Sequence, residues 1–174
     1  MDTVELLRNQ TKNAYEWTNK LIESIPTEKW DEIPNNIETN VTWQVGHLIM
    51  SFYFHSIMVI KGHQMDVIQE MPLQEYNQLF TKASPINTVG KTNPTALVEH
   101  LKLVQRKSLD IIQSLSENDL KNDLEKTDTP HPIARTKYEA LDWNIKHTMW
   151  HCGQIAILKR IVDKRYDFGL KFKE

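Results

Sequence analysis

Glycine is nearly missing from this chain, with five in 174 residues. A backbone with so few points of freedom, whose apolar residues recur every three or four positions, is built from helices. No alternating run flanked by hairpin turns asks to be a strand. Four long helices are expected. The first spans about Thr3 to Ser24, with Val4, Leu7, Ala14, Leu21 and Ile25 on one stripe, Thr11 and Thr18 filling its gaps, and Pro26 ending it. The second begins near Thr42, read as its N-cap, and runs to Lys61 before Gly62. It is apolar nearly all round (Val45, Leu48, Ile49, Phe52, Ile57, Ile60), as suits a helix surrounded by protein. Asn93 caps the third, Pro94 takes its first position, and its stripe runs from Leu97 to Leu115. The fourth covers about Lys137 to Lys164.

Between these lie a connection in which Trp30 tucks against the bundle, a long crossover from Gly62 to Asn93 with a short helix around "LQEYNQLF", a helical turn at "SENDLKNDL", and the loop "KTDTPHPIARTK", held extended by Pro130 and Pro132. Helices of roughly 30 Å suffice for an elongated four-helix bundle. The long crossover between helices two and three allows that pair to run parallel. With 40% hydrophobic residues and no composition break, residues 1–174 read as a single all-α domain.

Composition also excludes function classes. A net charge of −2, with Lys and Arg scattered, offers no nucleic-acid surface. Only the tail "KRYDFGLKFKE" leans basic. The longest apolar stretch, "HLIMSFYFHSIMVI", falls short of the about 20 residues that a membrane span takes. The N-terminus is polar and amphipathic and lacks the features of a secretory signal. The one cysteine, Cys152, allows no intrachain disulfide, and a soluble cytoplasmic protein is expected.

The chemistry gathers in "HTMWHCGQI", residues 147–155. His147 and His151 are four apart on a helix and point the same way, so their two imidazoles could share one metal ion. The polar line continues to Asn144 and Gln154, with Leu141, Ile145, Ile155 and Leu158 beside it. A polar seam on a packing helix is costly unless its groups find partners. A third ligand is offered by His47, in the otherwise apolar second helix, beside Gly46, which would let a neighbouring helix approach closely. Three histidines from two helices leave coordination positions open, as in catalytic sites. An ordinary pair of solvated histidines has the same spacing, and both readings stand on the residues alone. His55, at about 80° round the helix from His47, is expected to face another neighbour and is at best a reserve ligand. His63, His100 and His131 read as solvated or locally hydrogen-bonded. Cys152 reads as a small packing residue, and Trp43 and Trp143, one turn before His47 and His147, as core residues able to wall a pocket.

Taken jointly, "WQVGHLI" and "HTMWHCGQIAILKR" at this spacing resemble the DinB-like (DinB/YfiT) superfamily of metal-binding four-helix bundles, over nearly the whole chain. The resemblance implies an up-down-down-up bundle, a divalent metal site of His47, His147 and His151, and frequent homodimers. Some relatives transfer groups to or from low-molecular-weight thiols such as bacillithiol or mycothiol, some have been suggested to be hydrolases, and many have no assigned activity. This chain departs from the family in having Thr148 where an acidic residue is common and Cys152 where a basic one is. Neither position is a ligand, but the first departure removes a carboxylate that would assist hydrolysis.

The leading expectation is therefore a metal-dependent enzyme acting on a small-molecule substrate, transferring a group to or from a small thiol. Gln154 and Asn144 would orient the ligands or the substrate. The alternatives are metal-dependent hydrolysis and a non-enzymatic, metal-binding stress-response protein. "HTMWH" lacks the glutamate of the HExxH zinc proteases, which sets peptide hydrolysis of that kind aside. All-nitrogen ligation suits zinc or nickel first, and also iron or copper.

Overall fold

The computed structural model describes residues 2–170, and among them the chain is helical with no strand beyond one isolated bridge, Asp123 to Thr136. The last four residues of the basic tail lie outside the described residues. The six helices are numbered here in chain order. Helix α1, Thr3–Glu23, is capped by the Asp2 carboxylate, which accepts from the Glu5 amide at 2.7 Å. Its stripe is buried as the spacing predicts, with Thr11 and Thr18 fully enclosed. Trp30 is buried in the connection that follows, its indole N–H donating to the Ile25 carbonyl.

Helix α2, Val41–Tyr53, starts earlier than expected. Asn40, not Thr42, caps it by accepting from the Trp43 amide, while the Thr42 hydroxyl donates to Asp31. Asn and Thr are both competent caps, and Asp31 takes Thr42 out of the role by accepting from its hydroxyl. The rod continues through a π-helical stretch, Phe54–Met58, and a last α turn, Val59–Lys61. Gly62 ends it at φ 77°, a left-handed conformation that favours glycine.

The crossover holds α3, Met65–Glu70, and α4, Leu73–Asn77, the latter running on as a π-helical Gln78–Lys82. Helix α5, Pro94–Gln113, opens on Asn93 and Pro94 as expected. Helix α6, Lys137–Val162, opens with a capping box: Thr136 and Glu139 satisfy each other's backbone N–H groups.

Helices α1 and α2 each pack on both α5 and α6. They therefore face each other across one core, where the Tyr15 and Phe52 rings meet at 4.4 Å. The crossover's second half lies on the start of α2, and the loop before α6 is pinned to its end, where the Glu125 amide donates to the Val59 carbonyl. No helix among the described residues is long and apolar enough to cross a membrane.

Candidate metal centre

The three histidines singled out by spacing come together. The candidate ligand nitrogens of His47, His147 and His151 all lie within 4.8 Å of one another. His147 and His151 present Nε2 atoms 3.1 Å apart, and the His47 ring centroid stands 4.8 Å from that of His151 and 5.6 Å from that of His147.

The far nitrogens explain how two of the rings are aimed. His47 Nδ1 donates to the Phe80 carbonyl at 2.8 Å, and His151 Nδ1 donates to Gln44 Oε1 at 2.6 Å. A neutral imidazole has one proton, so both rings turn an Nε2 lone pair toward the cluster. That is the tautomer a metal ligand needs, with the outer nitrogen tied to an acceptor.

Each acceptor is itself fixed. Phe80 lies in the π-helical end of α4, where terminal carbonyls lack partners within the helix. Two of them are taken by α2 side chains: Phe80 O by His47, and Ala83 O by the Trp43 indole N–H at 3.2 Å. Gly46 makes this approach possible, because a Cβ there would overlap the buried Phe80 ring. Gln44 is 1% exposed; its amide nitrogen donates to Gln154 Oε1 and Thr39 Oγ1, so its oxygen is the atom left for His151. Trp43 stacks on His47, rings 4.6 Å apart and 9° from parallel.

Burial favours the neutral form of the rings. Desolvation, then the neighbouring His47, lowers the His147 pKa to about 4, and desolvation, His47 and His147 lower that of His151 to about 3. His47 is lowered by burial, partly offset by its bond to Phe80. Among the described residues, no cysteine or carboxylate joins the three imidazoles. Neutral, soft-to-borderline nitrogen donors with locked tautomers fit a divalent ion of the zinc or nickel type and give calcium or magnesium little to hold.

The other polar positions divide. Gln154 stands two hydrogen bonds from His151, through Gln44. Asn144 turns into the core instead, donating to the Tyr15 hydroxyl at 3.0 Å, which in turn meets Ser108. It makes no hydrogen bond to the imidazoles. Cys152 is buried, its thiol pKa raised by desolvation, as suits a packing residue. Trp143 and the exposed Trp150 flank His147, with centroids at 5.8 and 6.4 Å. His63 and His100 are locally bonded, each to a tyrosine hydroxyl (Tyr53 and Tyr76).

His55 differs from its expected placement. Rather than facing away, its ring lies 5.4 Å from His147, edge to face. It stands at the second position of the π-helical stretch, where the wider turn underwinds the rod and reduces the offset from His47. His131, read as a local loop residue, reaches it across the fold, with His55 Nδ1 and His131 Nε2 2.8 Å apart. Burial first, then His131, His147 and His47, push the His55 pKa down to about 2.

Spacing alone missed Gln44, the Phe80 carbonyl and the His55–His131 pair. Gln44 had a signal, one turn before His47 on the same face. A backbone carbonyl from the crossover has none.

Among solved structures, the crystal structure of a conserved protein from Enterococcus faecalis is similar, with a TM-score of 0.69 at 17% identity over 93% of this chain and 98% of that one. At that identity the likeness is one of fold. No curated protein matches. The sequence matches the DinB superfamily over residues 10–155, a stretch containing all three histidines and both glutamines around them. With that match across most of its length, the chain belongs to the DinB superfamily.

Proposed function

We propose that this protein is a metal-dependent transferase that moves a group to or from a small thiol, with His47, His147 and His151 holding a zinc or nickel ion. The carrying observation is the convergence of these imidazoles with His47 and His151 locked as lone-pair donors and no anionic ligand among them. A dipositive ion held only by neutral donors keeps its full charge and strongly lowers the pKa of a thiol beside it.

The chain's own residues supply the rest. Gln44 and the Phe80 carbonyl hold two ligand rings in place, and Gln154 holds Gln44. Trp143 gives the His147 side an aromatic wall for an apolar substrate group. In the net reaction the thiol sulfur bonds an electrophilic carbon, the leaving group departs with its electron pair, and the thiol proton goes to that group or to solvent. Cys152 is buried and is not the reacting thiol. The three-histidine group contains no carboxylate to act as a base on water, which supports transfer over hydrolysis.

The same reading has the long helices running up, down, down, up in a single domain, and a cytoplasmic homodimer. Apolar residues exposed at Trp150, Ile157 and Ile161 support a pairing surface on α6. The test is elemental analysis of untagged protein beside the His47→Ala, His147→Ala and His151→Ala variants, followed by a thiol-conjugation assay run with an ester and amide panel. About one ion per chain, lost in each variant, with turnover only of thiol and electrophile, is expected. Ester turnover would move the reading to hydrolysis. Stoichiometric metal whose removal unfolds the chain, with no turnover of any class, would make it a non-enzymatic metal protein.

A further inference from the structure

The hydrogen bonds around His131 fix the protons on two rings. The loop before α6 closes on itself, Leu124 N–H to Arg135 O and Lys137 N–H to Asn122 O, and Glu125 N–H anchors it to the end of α2. This sets His131 on the π-helical stretch, its ring stacked 4° from parallel on Phe54. Its Nδ1 accepts from the backbone amides of Ala134 at 2.8 Å and Ile133 at 3.3 Å. The His131 proton is therefore on Nε2 and is donated to His55 Nδ1. His55 must then hold its own proton on Nε2. That ring is 7% exposed, between His131 and His147; its Nε2 makes no hydrogen bond among the described residues and is not a fully enclosed atom.

His47 and His151 thus turn lone pairs inward, while His55 beside them has an N–H and cannot ligate through Nε2 while the loop holds this arrangement. An N–H without a protein partner that is not sealed off from solvent is available to a guest that accepts a hydrogen bond. We propose that His55 donates its Nε2–H to a small anionic ligand, a thiolate or a probe such as azide, seated at the three-histidine centre, with His131 the positioning residue that sets its tautomer. This rests on the metal-site reading above and adds to it the class of guest: an anion that accepts a hydrogen bond.

Two measurements test it. In metal-free protein at neutral pH, long-range 15N–1H spectra should show His131 and His55 both protonated on Nε2; His55 protonated on Nδ1 overturns the proposal. In cobalt(II)-loaded protein, azide titrated by visible absorption should bind roughly tenfold or more weakly to His55→Phe than to wild type, at unchanged cobalt content. His131→Phe, which keeps the stack on Phe54, should give mixed His55 tautomers and an intermediate loss. Equal azide affinity in all three proteins overturns the proposal, and so does loss of cobalt from His55→Phe with the fold intact, which would make His55 a ligand. If His55→Phe fails to fold, the wild-type spectra and His131→Phe decide. Should wild type bind no metal, the metal reading fails first and the anion site with it, while the spectra still report whether His55 is a donor.

Discussion

Gln44 Oε1 lies 2.6 Å from His151 Nδ1, a contact between residues 107 apart in sequence that ties the start of α2 to the middle of α6. The glutamine has no alternative orientation, because its amide nitrogen is engaged by Gln154 and Thr39. Gln44→Leu should therefore fold but release the His151 ring, lowering metal affinity roughly 10–100-fold. Competition with a chromophoric chelator measures this; unchanged affinity would mean that the ring is aimed by packing alone.

How far the sequence could be read depends on the distance over which each feature is decided. The long helices were readable because three–four periodicity, Pro26, Asn93–Pro94 and Gly62 act within a turn or two. His47, His147 and His151 were readable because a polar residue on a packing face must find a partner. The N-cap of α2 was misplaced by two residues, since Asn40 and Thr42 are both competent caps and only Asp31, from another segment, settles the matter by engaging Thr42. His55 was misplaced because 100° per residue presumes an α-helix, and Phe54–Met58 is a π turn. Asn144 shares the histidines' line on α6 yet is claimed by Tyr15 of α1, a long-range choice that no local pattern encodes.

The depressed histidines set a pH dependence of definite sign. In the folded, metal-free chain His147 and His151 take up protons only near pH 4 and pH 3, against 6.5 for an ordinary imidazole. The unfolded chain binds more protons throughout that interval, so this contribution to stability is complete above pH 6.5 and is lost as pH falls toward 4 and 3. Urea midpoints of metal-free protein should drop between about pH 7 and about pH 5. Metal affinity of the folded protein should stay nearly flat over the same range, since these two ligands have few protons to displace. A steep fall in affinity there would indicate ligands with ordinary pKa values.

Cys152 is buried and its thiol is raised by desolvation. The native protein should react slowly with a disulfide reagent and rapidly once unfolded. Cys152→Ala should retain metal content and any thiol-transfer activity, at a stability cost of about 1 kcal/mol. Loss of transfer without loss of metal would point to a direct role for this sulfur.

The stripe of Trp150, Ile157 and Ile161 on α6 is exposed at 62%, 53% and 52%, with spacings of seven and four that keep the three on one helix face. Light scattering of the purified protein should give the mass of a dimer, and Ile157→Glu with Ile161→Glu should give that of a monomer with its metal intact. A wild-type monomer at the same concentrations removes the pairing surface.

Gly46 tests the link between the crossover and the metal centre. It lies against the face of the Phe80 ring, and the Phe80 carbonyl is the acceptor that aims His47. A methyl group at this position overlaps a fully buried ring that has little room to retreat, so Gly46→Ala should cost about 1–3 kcal/mol through overpacking. As the Phe80 backbone is pushed off α2, the His47 bond lengthens and metal affinity falls as well. Pairing the change with Phe80→Leu frees the contested space and leaves the carbonyl in place. The double variant should regain most of the affinity while remaining less stable than wild type, because the larger aromatic group is gone from the core. Full metal affinity in Gly46→Ala alone would show that His47 is positioned without the crossover.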